Sequence, residues 1–362
     1  MLSQSSLARM RALYRSFVDE LIVNPQQKAA EDDHPLATSE KSTWNAYFKD
    51  SDLDFEIVKD AKRTFPQLHF FNHDPMNGDT THYEALRRLL FVYAKLNPGI
   101  RYVQGMNELL APIYYLFANA VGAHDRAENQ APTRDDAEAD AFFCFTTLMS
   151  EVMNNFCKTL DSSEVGVHAD MRRLNALLRE KDAELWANLE QKGLSPQFYS
   201  FRWLTLLLSQ EFELPDVMRL WDSLFADARR FEYLQFFCCA MLSAVRDQLF
   251  LNDFASNLKL LQKYPPIDPF LIHRRARELQ AADYVAPPRP VAPSDSVLDE
   301  DDGAATGTGI VVVDAPSVVA STPVAVAAPA PPPAASAAPP DSSPSPVRLL
   351  KNWFRRAASG TQ

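Results

Sequence analysis

Several features are missing or scarce in this 362-residue chain, and each absence removes a class of function. There is no GxxxxGK[ST] string, and no lysine follows Gly307-Thr308-Gly309, so the chain brings no phosphate-binding loop of its own. No run of 18 apolar residues occurs, and no transmembrane helix is expected. Basic residues are the minority: 36 Lys and Arg against 47 Asp and Glu leave a net charge of −11, without the concentrated positive excess that marks a nucleic-acid binder. Only four cysteines are present, at 144, 157, 238 and 239, with no CxxC spacing. Three of them lie in apolar, helix-like sequence and read as buried, reduced thiols. Cys157 has no evident histidine or acid partner in sequence to activate it. His69, His73, Asp74 and His82 cluster loosely, yet no cysteine or HExxH accompanies them, so no metal site is expected. Period-two alternation is absent, and Asn77-Gly78 lies between polar segments rather than apolar runs, which speaks against a β-sheet.

Aromatic residues are absent from 285–346, which instead hold 14 of the 26 prolines. Such a stretch cannot bury enough apolar surface to offset its ordering entropy and reads as a disordered linker. Pro329-Ala330-Pro331-Pro332-Pro333 within it has polyproline II composition, which a linker alone explains. The segment 347–362 differs: Leu350, Trp353, Phe354 and Ala357 form an apolar stripe beside Lys351, Arg355 and Arg356, with Arg348 just before. That is the make-up of a short interfacial helix drawn weakly to anionic lipid.

Residues 1–284 carry 22 of the 23 phenylalanines and all 11 tyrosines, and read as one all-α domain, two-lobed, of roughly a dozen helices. Leu7, Met10, Leu13, Tyr14, Phe17 and Leu21 recur at three and four. The first 18 residues are acid-free, as in a transit peptide, but the same period continues through Asp19-Glu20-Leu21-Ile22 and predicts an ordinary first helix. Trp44, Tyr47 and Phe48 suggest a short apolar turn. A helix is predicted from Thr80 to Leu96, ended by Asn97-Pro98-Gly99, and another from Val103 to about Ala120. Further helices are expected over 139–160, two within 164–188, one opened by Ser195-Pro196 and running to Gln210, one opened by Pro215, and then 231–250, 253–262 and 268–280.

Two short strings, 41 residues apart, carry the chemistry: Ile57-Val58-Lys59-Asp60-Ala61-Lys62-Arg63-Thr64 and Tyr102-Val103-Gln104-Gly105-Met106-Asn107. GTP hydrolysis on a small GTPase is slow because charge building on the transferring phosphoryl is incompletely neutralised and the attacking water is loosely held. An arginine inserted from outside answers the first need. It is worth about 10³–10⁵ in rate, or roughly 4–7 kcal/mol of barrier. A glutamine amide answers the second, since it both donates and accepts. Arg63 and Gln104 have the right chemistry for these two roles, and the arginine charge cannot be lost. Ile57 and Phe65 flank Arg63 as apolar anchors, Asp60 is placed to cap the turn or orient the guanidinium, Gly105 permits close backbone approach, and Asn107 is placed to brace the loop.

The chain resembles the TBC domain family, the Rab GTPase-activating proteins. The string Ile57-x-x-Asp60-x-x-Arg63 matches the family's arginine-finger motif, and Tyr102-x-Gln104-Gly105 matches its glutamine-finger motif. Phe201-Arg202-Trp203-Leu204 followed by Arg219-Leu220-Trp221-Asp222 matches a third signature. The similarity covers roughly residues 8–282. It implies Arg63 and Gln104 as catalytic residues, supported by Asp60, Tyr102, Gly105 and Asn107. The partner it implies is a Rab-type small GTPase, on a cytosolic protein acting in vesicle traffic. No cofactor is expected beyond the GTP and Mg²⁺ that the partner holds. The alternative is a silent TBC-fold module that docks a GTPase without accelerating hydrolysis. Arg202, Trp203, Arg219, Trp221 and Asp222 are expected to bear the fold, with Arg219 and Asp222 able to pair on one helix face. Family members open the domain with an arginine- and tryptophan-bearing segment ahead of a Leu-rich helix. Here Met1 stands close before Leu7-Ala8-Arg9-Met10, so that opening is expected to be missing.

Overall fold

Met10, Tyr14 and Phe17 fall on one face of helix α1 (Gln4–Leu21), and all three are buried. The computed structural model describes residues 4–22, 43–72, 81–123, 133–157, 165–227, 229, 231–281 and 285–287. Helices account for the regular structure, and no strand occurs among the described residues. The expected linker (but for residues 285–287) and the basic segment lie outside them.

The first lobe contains α1, α2 (Thr43–Ala61), α3 (His69–Asn72), α4 (His82–Leu96), α5 (Met106–Ala123) and α6 (Arg134–Val152). Helix α4 lies against α2, α5 and α6, and α1 packs on α4 and α6. Its N-terminus is set by a capping box between Thr81 and Glu84. Charged pairs fix the helices at their edges. Arg88 forks onto Glu138 at 2.9 and 2.8 Å, the Tyr14 hydroxyl donates to the same carboxylate at 2.6 Å, and Arg11 forks onto Asp140. Arg87 with Asp54 and Lys95 with Asp50 tie α4 to α2. The first segment is thus an integral helix of the domain.

The second lobe contains α7 (Val167–Lys181), α8 (Ala183–Gln191), α9 (Ser200–Thr205), α10 (Leu214–Ala226), α11 (Phe231–Ala244), α12 (Arg246–Leu251), α13 (Phe254–Gln262) and α14 (Pro269–Gln280). Helix α11 is buried along most of its length and packs against α14 and α7. Asp182 caps α8 by accepting from the Leu185 amide and pairs with buried Arg246 at 2.6 Å. Helix α5 reaches α10 across the lobe boundary, and a 3₁₀ turn over Met153–Phe156 touches α7.

Five expectations need correction. Trp44, Tyr47 and Phe48 belong to the 19-residue helix α2 rather than to a short turn. The predicted helix 195–210 is broken: a 3₁₀ turn over Pro196–Phe198 leads into α9, and the chain then passes through Leu207 and Leu208 with φ of +48° and +64°. Arg219 pairs with Asp216, not Asp222. Cys144 is exposed, whereas Cys238 and Cys239 are buried as expected. The predicted helix 231–250 is divided between α11 and α12 at Val245.

Candidate functional site: two loops joined by one carboxylate

Helix α2 buries Leu53, Ile57 and Ala61, and its last turn tightens as the Arg63 amide donates to the Asp60 carbonyl at 3.1 Å and the Thr64 amide to Ala61 at 3.3 Å. Phe65 then takes φ of +44°, and its buried ring stacks on Phe71. The chain is anchored on both sides of Arg63 while the arginine side chain remains 52% exposed.

The second loop begins at the end of α4, where the Asn97 side chain donates to the Tyr93 carbonyl at 2.8 Å. Arg101 adopts φ of +59°, turning Tyr102 inward to a buried position. The Met106 amide donates to the Val103 carbonyl at 3.1 Å, closing a turn with Gln104 and Gly105 at its tip. Gln104 is exposed and Gly105 buried. Gly105 has φ of +105°, and a Cβ there would lie 2.8 Å from Leu206 Cδ2.

Asp60 joins the two loops. One carboxylate oxygen accepts from the Arg63 guanidinium, and the other accepts from the Tyr102 hydroxyl at 2.7 Å. Asn107 forms a second crossing: its side-chain oxygen accepts from the Gly105 amide at 3.1 Å, and its amide donates to Thr64 Oγ1 at 2.9 Å. Thr64 in turn donates to the Asp60 carbonyl at 2.9 Å. Asp60, Thr64, Tyr102 and Asn107 are all buried. Burial, then the bond to Asp60, holds the Tyr102 phenol far above its ordinary value, so it stays a donor. Burial raises the Glu108 carboxyl, partly countered by hydrogen bonds from Gln210 and Asn107. The arrangement presents one cationic and one amide side chain on a rigid, fully hydrogen-bonded base.

Every predicted site residue therefore lies in one place, with Arg63 and Gln104 outward and Asp60, Tyr102, Gly105 and Asn107 beneath. Sequence reasoning missed Thr64, Glu108, Leu206 and Gln210, which supply the remaining bonds and the wall behind Gly105. The third signature supports that wall. Trp221 Nε1 donates to the Leu207 carbonyl at 2.9 Å, Trp203 is fully buried, and Arg202 forks onto Glu211 at 2.6 and 2.9 Å. Among the described residues no group of His, Cys, Asp or Glu is placed to hold a metal ion. His82 stacks on Phe70 with its Nδ1 3.0 Å from the Tyr114 hydroxyl, while His73 and Asp74 lie outside the described residues.

The family model of the Rab-GTPase-TBC domain matches residues 13–250, spanning both loops and the third signature. The chain belongs to this family. It is 39% identical to TBC1 domain family member 13 of mouse and of human, over 76% of this chain and 84% of each relative. GTPase-activating protein gyp1 of Schizosaccharomyces pombe is 28% identical over 59% of this chain and 41% of its own. The crystal structure of the Ypt/Rab-GAP domain of Gyp1p shares the fold, with a TM-score of 0.59 and 22% identity over 76% of this chain and 80% of that one. No helix among the described residues is long and apolar enough to cross a membrane.

Proposed function

We propose that this protein accelerates GTP hydrolysis on a Rab-type small GTPase by donating Arg63 and Gln104 to the GTPase active site. The observation that carries this reading is the Asp60 bridge: one buried carboxylate binds the arginine and the tyrosine of the glutamine loop together, fixing the two exposed side chains to a common base. Arg63 stabilises charge on the transferring phosphoryl, and Gln104 holds the attacking water in place of the GTPase's own glutamine. Preorganisation matters because stabilising groups that need not be reordered act at full strength in the transition state. The protein needs no cofactor of its own, since GTP and Mg²⁺ arrive with the partner. Family membership, and a relative named GTPase-activating protein gyp1, support the partner class; a role in vesicle traffic is part of the same proposal.

The test is single-turnover GTP hydrolysis across a purified Rab panel. Acceleration of at least one Rab, lost in Arg63→Ala, is the expected result. Binding to a GTP-loaded Rab without any acceleration would replace this reading with that of a silent docking module.

A further inference from the structure

Helix α2 has two unlike faces. Leu53, Ile57 and Ala61 are buried against the domain, whereas the opposite stripe at spacings of four and three (Phe48, Asp52, Phe55, Lys59) faces solvent. Phe55 is 71% exposed, and Phe48 and Tyr47 are nearly half exposed. Trp44, Tyr47 and Phe48 gather into one ring cluster with centroids 6.0 to 6.3 Å apart. An isolated surface aromatic is unremarkable, but several along one helix form a patch of the kind that partners cover. The stripe runs directly into the site. Arg63 lies eight positions after Phe55, about 12 Å at the helical rise, and Lys59 and Lys62 stand exposed between them.

Given the GTPase-activating reading, on which this rests, we propose that the outward face of α2 is the docking strip for the GTPase, with Phe55 as its apolar anchor and specificity-determining contact. Position and charge commit the face to that occupant. A GTPase that receives Arg63 brings its nucleotide phosphates against the end of α2, where the exposed Lys59 and Lys62 supply positive charge beside the Arg63–Asp60 pair. Its surface beside the nucleotide pocket then lies along the preceding turns of the same helix. Partners with an apolar side chain opposite Phe55 bury it. Partners with a charge there leave that charge desolvated and are rejected. Phe55 is a positioning residue: it contacts the partner surface, not the reacting atoms.

Full-length protein carrying Phe55→Asp, Phe55→Ala or Phe55→Leu is compared with wild type on the best Rab, by initial rates and by direct binding to that Rab loaded with a non-hydrolysable GTP analogue. Phe55→Asp should raise KM and Kd about tenfold or more while kcat at saturation changes less than about twofold. Phe55→Leu should recover much of the loss. Because Phe55 faces solvent, the variants should retain the wild-type melting temperature. Wild-type acceleration with KM and Kd of Phe55→Asp within about twofold of wild type overturns the docking strip alone. A wild-type protein that binds without accelerating overturns the donated-residue mechanism, yet Phe55→Asp still decides the strip through its Kd. If wild type neither binds nor accelerates any Rab, both fall. Self-association that Phe55→Asp abolishes, with Rab kinetics untouched, reassigns the face to a second copy of the chain.

Discussion

Leu206 closes the space behind Gly105 so tightly that a methyl group on the glycine would sit 2.8 Å from its Cδ2. The glycine also holds φ of +105°, which an L side chain rarely adopts. Gly105→Ala therefore meets two penalties and should destabilise the domain by about 1–3 kcal/mol, while displacing the Gln104 turn. Adding Leu206→Ala relieves the clash but not the backbone strain. In a double-mutant cycle by urea unfolding, the two substitutions together should cost less stability than the sum of the single variants, because the clash is relieved while the backbone strain and the cavity left by Leu206 remain.

Arg63→Ala should reduce GTPase activation by about 10³-fold or more, with little effect on stability. The side chain is half exposed and its removal opens no cavity. Near-native rates in this variant, measured on the best Rab, would remove the arginine from the mechanism.

Gln104→Ala should also cost activity strongly. Wild-type protein should in turn still act on a Rab whose catalytic glutamine is replaced by alanine, because the water is then held from this side. A complete block by the Rab substitution, with no effect of Gln104→Ala, would indicate that only the arginine is donated.

Burial, then the Arg134 charge, lowers His82 from its usual value to about 4. The folded value lies below the unfolded one, so the neutral ring contributes stability that is fully present above about pH 6.5 and is lost as pH falls toward 4. His82 is partly exposed, and solvent screening reduces the effect to about 1–2 kcal/mol. Burial of Glu108 and Glu211 raises their carboxyls and pushes stability the opposite way on acidification. The comparison that isolates the histidine is the difference in unfolding free energy between pH 7 and pH 5 for wild type and His82→Gln. That difference should shrink in the variant.

The stripe at Leu350, Trp353 and Phe354 with its flanking basic residues is expected from sequence to bind anionic membranes weakly, each positive charge adding about 1 kcal/mol near the surface. Full-length protein should pellet with anionic vesicles at low salt more than a 1–346 truncation does. Equal, negligible pelleting would assign the end of the chain no membrane role.

Much of this fold was legible because its helix boundaries are written in local chemistry. Thr81 with Glu84, Asp253 ahead of α13, and Asp268-Pro269 ahead of α14 act as caps in the structure as their types predict. The break after α9 was not legible: leucine gives no signal that it will adopt positive φ, and at 207 and 208 the conformation is imposed by packing and by the bond to Trp221. Trp44, Tyr47 and Phe48 misled because aromatic residues usually mark an inward face, whereas here Tyr47 and Phe48 are exposed and Trp44 is only partly buried. The site's outer residues were visible as motifs, but the bonds beneath were not. Thr64 to Asn107 and Gln210 to Glu108 join residues far apart in sequence. Arg202 and Glu211 are nine apart and lie outside helical spacing.

The ion pair at the end of α2 also governs how the protein behaves before any partner touches it. With Asp60 already against its guanidinium, Arg63 projects the field of a dipole rather than of a full charge, and such a field fades quickly through salt solution. Arg63 therefore adds little to the speed of encounter. Lys59 and Lys62, exposed beside it, supply the local attraction against a domain that is acidic as a whole, and association should slow with ionic strength through them. Turnover within a formed complex should be far less sensitive to salt, because on the proposed mechanism the arginine acts inside an interface from which counter-ions are excluded.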